Sequence, residues 1–443
     1  MANIFVIKKK ISSFHDKFIK VSGDKSLSIR WVLLASLANG KSRSINLLRS
    51  DDVKASINVI KTLGIKVKLK KNFCEIYGKG LDGYKYKKNI VLDAKNSGTL
   101  GRLILGLLAN SDKEIKIIGD KSLSKRDFKR VADPLKKFGV KFKLTNNRNL
   151  PLKILGTKNL KPIKYYENKG SAQCKSSIIF AGLRTEGTTI IKAKKSRDHT
   201  ELLCKYLKLP VHLLKKKNYD LIKIKKATNI SSFNYHIPSD MSSASFFIVL
   251  TCLTKNSNLT IRNVNINSSR IGIIIILKKM GVNIIFKNKR LYKGELVADI
   301  FVRSSKNLKS INCPARLNSS SIDEFLLIFL VAARAKGVSF FKSLSELNQK
   351  ESPRLKWGSK ILNLMGIRNI LTNDTIKIFG NPNINIKKKI IIKNYLKDHR
   401  VFMVSTIAAL TLGGKWSIHD PDSFKTSFPS FLKILKSLGA NIK

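Results

Sequence analysis

The stretch that decides the fold is RIGIIIILKKMGVNIIF, Arg270 to Phe286. Apolar residues at helical spacing run up to Met280, Gly281 stops the helix, and a short strand pattern follows. The same ending returns as LGIKVKL (Leu63–Leu69), FGVKFKL (Phe138–Leu144), MGIRNIL (Met365–Leu371) and LGANIK (Leu438–Lys443), with a weaker copy, LKLPVHLL (Leu207–Leu214). Glycines 64, 139, 281, 366 and 439, with Leu209 in the weak copy, fall roughly 70 to 85 residues apart, a period longer than most solenoid repeats.

A second element keeps step with the first. Six segments open on small polar residues and run into an apolar helix: they start at Asp24, Asn96, Gly170, Ser239, Ser319 and Lys397. These helices are apolar nearly all round, so each is expected at the core of its unit. Six copies of a strand-and-helix unit predict a six-fold α/β architecture, closed or two-lobed. Helix starts carry unpaired N–H groups and a positive dipole end, so similarly oriented copies would create an anion-attracting cleft.

Composition bounds the function. The chain has 443 residues, and 86 Lys and Arg against 28 Asp and Glu give a net charge of +58. With 43% hydrophobic residues the chain is globular rather than a basic tail. The excess is 68 Lys against 18 Arg; planar recognition of phosphates and bases favours Arg, so most of these Lys read as a solvated surface. The five cysteines (74, 174, 204, 252 and 313) are dispersed with no C-x-x-C pair, which argues for reduced thiols in a cytoplasmic chain. The start, MANIFVIKKK, lacks a secretory pattern, and Phe325–Ala333 is too short to span a bilayer.

Cations sit beside the helix starts: Lys25, Arg30, Arg102, Arg126, Arg197, Lys350, Arg354 and Arg400. Such a set suits small anions. Asp323 and Glu324 open one apolar helix, and Lys350-Glu351 precede Ser352-Pro353-Arg354. On pattern alone Asp323 is more often a helix cap, and a Lys-Glu-x-x-Arg group more often a surface ion-pair cluster, than an acid–base pair. Neither standard glycine-rich phosphate loop is present, and the six His show no metal-ligand spacing.

Ten motifs in order then resemble one family from end to end. They are GDKSLSIR (23–30), NSGTLGR (96–102), GDKSLSKR (119–126), SAQCKS (171–176), SRDHTE (196–201), SRIG (269–272), IDE (322–324), KESPR (350–354), DHR (398–400) and TSFP (426–429). The chain resembles the 5-enolpyruvylshikimate-3-phosphate synthases, most closely the branch that includes glyphosate-tolerant bacterial enzymes.

The resemblance implies an inside-out α/β barrel of two lobes. Residues 1–22 plus 240–443 would form one lobe and 23–239 the other, with three repeats each and the active site in the cleft between them. It implies transfer of the enolpyruvyl group of phosphoenolpyruvate to the 5-hydroxyl of shikimate 3-phosphate, with release of phosphate. Lys25, Ser26, Arg30, Ser171, Ala172, Gln173, Arg197, Asp323 and Lys350 would hold shikimate 3-phosphate. Lys25, Gly98, Arg126, Gln173, Arg354 and Arg400 would hold phosphoenolpyruvate. Asp323 would take the hydroxyl proton, and Glu351 with Lys25 would move the proton at the methylene carbon. No metal or organic cofactor, no nucleic acid and no membrane is expected, and the expected state is a cytoplasmic monomer.

The chain departs from the family pattern at Asp127, Ser239, Lys397 and Ser268-Ser269. Asp127 puts a negative charge beside Arg126 and is expected to weaken its grip on the anion. Lys425 is one residue off a family Lys and is left out of the site. Gly98 leaves room for glyphosate and predicts sensitivity. Two other readings are a UDP-sugar enolpyruvyl transferase and a basic nucleic-acid binder on a similar α/β scaffold. The first lacks its reactive Cys near Arg126. The second calls for basic residues and exposed aromatics clustered along a groove, whereas the Lys are spread over every unit.

Overall fold

A computed structural model describes residues 4–442. The chain divides into two compact units: Met1–Ser22 with Pro238–Leu291 and Leu296–Lys443, and Gly23–Ile237 with Tyr292–Glu295. The boundary expected at 239/240 therefore falls at Pro238, because Ser239 already bonds into the first unit through Val21 O (3.1 Å) and Arg262 O (3.0 Å). The hairpin tip Tyr292–Glu295, expected in the first lobe, is counted with the second unit instead. There the Tyr292 hydroxyl accepts the His236 N–H (3.0 Å) and Glu295 meets His199.

The second unit shows the repeat most plainly. Strand Val91–Asp93, helix Gly98–Leu107, strand Ile115–Ile118, helix Lys129–Lys136 and strands Lys141–Thr145 and Asn149–Leu155 follow in order. The first two strands pair in parallel, and the other two add antiparallel, giving the spatial order first, second, fourth, third. Lys164–Glu167, Ala172–Gly182, Thr188–Lys194, His199–Tyr206, Val211–Lys215 and Tyr219–Lys225 repeat the scheme. The remaining repeat runs from helix Lys25–Ser36 to strand Phe73–Lys79 and takes its leading strand, Asn234–His236, from the unit's far end.

The first unit uses the same plan with its ends exchanged. Helix Met241–Leu253 and its three following strands gain Lys17–Ile19 as leading strand, in parallel with Asn258–Asn265. Among the described residues, the repeat around helix Phe325–Ala333 has two isolated bridges in that place. In the last repeat, strand Ile4–Ile7 pairs antiparallel with Gly413–His419 and fills the final position. Six sheets result among the described residues. This exchange is why the N-terminal 22 residues belong with the C-terminal part.

The glycines of the repeated ending have one job. Gly64, Gly139, Gly281, Gly366 and Gly439 all have φ between 82° and 101°, the left-handed helix end that a side chain disfavours. In the weak copy the left-handed residue is Lys208 (φ 56°), so the equivalent position is Lys208 rather than Leu209.

Each sheet alternates. In Thr188–Lys194 the side chains of Thr189, Ile191 and Ala193 are buried while Lys192 and Lys194 are exposed; across the ladder Ile191 faces Ile222 and Thr189 faces Ile224. The inward faces cover helices buried on all sides: every residue of Met241–Leu253, Phe325–Ala333 and His399–Leu412 is buried. Helices lie inside and sheets outside, an inside-out α/β arrangement, and much of the Lys excess occupies outward strand positions. No helix among the described residues is long and apolar enough to cross a membrane.

Candidate active site

In the second unit the three buried helices begin at one place. Asp24 caps the first by accepting the Leu27 N–H (2.9 Å), which puts Lys25 and Ser26 in its first turn. Lys25 Nζ lies 3.0 Å from Asp52 Oδ2, at the start of helix Asp51–Thr62. Arg30, one turn on, is buried and held at each nitrogen: Nη1 donates to Ser26 O (3.1 Å), Nε to Thr200 Oγ1 (2.7 Å) and Nη2 to Ser176 Oγ (3.0 Å). Burial pulls its pKa down to about 10, opposed by Glu201 and Asp24, while Arg197 adds to the fall. It remains charged at neutral pH.

Ser97 and Ser171 cap the other two starts, accepting the N–H groups of Leu100 and Cys174 (3.3 Å each). Ala172 opens its helix, and Gln173 is fixed at both ends of its amide. Its Oε1 accepts Arg102 Nη1 (2.5 Å) and its Nε2 donates to Thr99 Oγ1 (3.0 Å). Gly98 lies against Arg126: a Cβ on Gly98 would stand 2.7 Å from Arg126 Nη1 and 3.6 Å from Arg102 Nη1. The absence of a side chain is what lets two guanidinium groups approach this helix start. The Asp127 carboxylate accepts the Arg130 N–H (3.3 Å) and faces Arg148 Nε (3.6 Å). It thus caps the next helix and pairs with Arg148.

The first unit gathers the acids. Arg354, 2% exposed, is the centre of a three-carboxylate cluster. Nη1 lies 3.2 Å from Asp323 Oδ1, Nη2 2.5 Å from Glu351 Oε2, and Nε 2.9 Å from Asp398 Oδ2. Lys350 Nζ adds a contact to Asp323 at 3.3 Å. Burial disfavours the Arg354 charge, but Asp398, Glu351 and Asp323 outweigh it and raise its pKa above the ordinary value. Arg400 donates its backbone N–H to Asp398 Oδ1 (2.9 Å), and its Nη1 lies 3.6 Å from Glu324 Oε1. Glu324 also accepts the Ser242 hydroxyl, to which Arg270 Nη2 donates (2.8 Å).

Two bland readings of the sequence fail here. Asp323 is not the cap of Phe325–Ala333; its carboxylate turns to Lys350 and Arg354. Lys350–Arg354 is no surface ion-pair group, since Arg354 and Asp398 are both buried. Each unit also holds carboxylates whose work was not read from the sequence, Asp52 on Lys25 and Asp398 on Arg354. The Asp52 pairing spans 27 residues and the Asp398 pairing 44, and no local pattern marks either. Lys425 pairs with Asp422 (2.7 Å) on an exposed turn.

Residues 10–435 match the family model of EPSP synthase (3-phosphoshikimate 1-carboxyvinyltransferase). The chain is 40% identical over 425 residues to the 3-phosphoshikimate 1-carboxyvinyltransferase of Ruthia magnifica subsp. Calyptogena magnifica, covering 96% of this chain and 95% of that one. It is 38% identical over 419 residues to that of Caldicellulosiruptor bescii, covering 94% and 95%. The solved EPSP synthase of Acinetobacter baumannii superposes with a TM-score of 0.87 at 32% identity over 99% of both chains. An enolpyruvyl transferase of Streptomyces tendae, NikO, shares the fold alone, with a TM-score of 0.76 at 14% identity over 100% of this chain and 99% of that one. The chain therefore belongs to the EPSP synthase (3-phosphoshikimate 1-carboxyvinyltransferase) family.

Proposed function

We propose that this transferase moves the enolpyruvyl group of phosphoenolpyruvate to the 5-hydroxyl of shikimate 3-phosphate by addition and elimination, and that both groups of side chains described above act on that one pair of substrates. The observation that carries the reading is that Asp323 and Glu351, a candidate base and a candidate acid, share the Arg354 guanidinium at 3.2 and 2.5 Å.

The roles follow from the chemistry. Arg30 with Ser26, Ser171, Ala172, Gln173 and Arg197 receives shikimate 3-phosphate. Lys25, Gly98, Arg126, Gln173, Arg354 and Arg400 receive phosphoenolpyruvate, whose phosphate and carboxylate need several cations at once. Asp323, beside Lys350 and Arg354, accepts the proton of the attacking hydroxyl. Glu351 delivers a proton to the methylene carbon and takes one back as phosphate leaves, with Lys25 assisting. Arg354 is already shared among three carboxylates, so binding an anion means redirecting some of its N–H groups from them. On this reading the enzyme works as a cytoplasmic monomer of two three-repeat lobes, without a nucleic-acid partner.

Phosphate release in the presence of both substrates tests the reading. Turnover by the wild type, lost in Asp323→Asn and in Glu351→Gln, is expected; no phosphate release by the folded wild type would overturn it.

A further inference from the structure

Beneath Arg30 lies a buried ion pair that the roles above leave unused. Lys175 Nζ and Glu201 Oε1 are 2.7 Å apart, with side-chain exposures of 0% and 1%. Neither charged group has a hydrogen-bond partner of good geometry. Two charges buried this way rarely stabilise a fold, because desolvation offsets most of their attraction. Their place in the chain suggests a different task.

Each member of the pair is next in sequence to a residue that holds Arg30. Lys175 precedes Ser176, whose Oγ accepts Arg30 Nη2 (3.0 Å); Glu201 follows Thr200, whose Oγ1 accepts Arg30 Nε (2.7 Å). The two hydroxyls also bond one another at 2.7 Å. Ser176 belongs to helix Ala172–Gly182 and Thr200 to helix His199–Tyr206. The ion pair thus ties together the two helices that aim the guanidinium, and it sets Glu201 close enough to act on the Arg30 charge.

We infer that Lys175 and Glu201 are positioning residues for shikimate 3-phosphate, acting through Arg30. The inference rests on the assignment of Arg30 to that substrate. The pair has no part in phosphoenolpyruvate chemistry, so its loss separates the two substrates kinetically.

Steady-state kinetics on Glu201→Gln, on the apolar pair Lys175→Met/Glu201→Leu and on Arg30→Ala test this. A single change strands a buried charge and is liable to unfold the unit, whereas the apolar pair keeps the volume filled and is expected to fold with a near-native Tm. In the apolar pair KM for shikimate 3-phosphate should rise about tenfold, the factor for one lost or misaligned charge-assisted contact. Its kcat and its KM for phosphoenolpyruvate should stay within about twofold, the split expected when a contact made equally in ground and transition states is lost. A folded apolar pair with wild-type KM for shikimate 3-phosphate, or with both KM values raised alike, would overturn the inference. If Arg30→Ala leaves that KM unchanged, the assignment of Arg30 fails, and the inference with it.

Discussion

Replacing Asp398 by Asn changes one atom of a buried side chain, yet the structure gives it a large effect. Asp398 receives Arg354 through two contacts, Nε to Oδ2 at 2.9 Å and Nη2 to Oδ1 at 3.2 Å, and also accepts the Ser352 hydroxyl (2.8 Å) and the Arg400 N–H (2.9 Å). An amide can keep only part of this, because its NH2 faces donors. Removing one partner of a buried pair costs about 3–5 kcal/mol. Arg354 retains Asp323 and Glu351, which argues for the lower end, about 3 kcal/mol. For a unit of this size each kcal/mol lowers Tm by about 2–4 °C, so a fall of about 6–12 °C is expected at neutral pH.

The pH dependence sharpens that prediction. Burial pushes the Asp398 carboxyl up, but Arg354 outweighs it and holds the pKa below 3.8. The resulting stability is present in full above the unfolded pKa and is lost as pH falls through the depressed folded value. Thermal unfolding of wild type and Asp398→Asn, followed by circular dichroism from pH 7 down to pH 3, should show a gap that narrows below about pH 4. Equal Tm values at pH 7, or a gap independent of pH, would refute the reasoning.

Gly98→Ala places a Cβ 2.7 Å from Arg126 Nη1 and forces that guanidinium to move. Because small displacements of a binding group are costly, KM for phosphoenolpyruvate should rise about five- to thirtyfold, with Tm little changed. Lys397 stands in the left-handed region (φ 54°) directly before Asp398. Lys397→Gly should therefore raise stability by about 1 kcal/mol, measured as a higher urea midpoint at unchanged m. All five thiols are buried, and burial raises Cys74, Cys174 and Cys252 to about 12 and Cys313 to about 11. A disulfide reagent at pH 8 should label none rapidly in the native protein and all five in urea.

The sequence carried those parts of the fold that are written locally. The helix-stopping glycines were legible because a left-handed residue has a compositional mark, and where the mark is missing, at Lys208, the position was misread by one. The apolar helices were legible as buried because they lack a polar face. The exchanged edge strands were not, since pairing of Ile4–Ile7 with Gly413–His419, or of Asn234–His236 with Asn39–Ile45, depends on where the chain re-enters a unit. The same division holds in the site. Asp323, Glu351 and Arg354 were found through motifs, yet on pattern alone a cap and a surface ion pair are the more common explanations. What decides against those readings is burial and the Asp398 contact, which involve residues far apart in sequence. Lys175 sat within a recognised motif without a role because its partner, Glu201, lies in another one.

Addition and elimination through a protonated methylene carbon, with the hydroxyl adding to and phosphate leaving from the neighbouring carbon, is the central claim, and isotope exchange tests it most directly. When turnover runs in D2O, the proposed acid Glu351 would carry a solvent-derived deuteron to the methylene carbon, and elimination would remove one of three hydrogens. Mass spectrometry should find deuterium in the vinyl group of the product and, by reversal, in the remaining phosphoenolpyruvate. Product formed at full rate with no deuterium in its vinyl group would mean that the methylene carbon is never protonated, and would contradict the account.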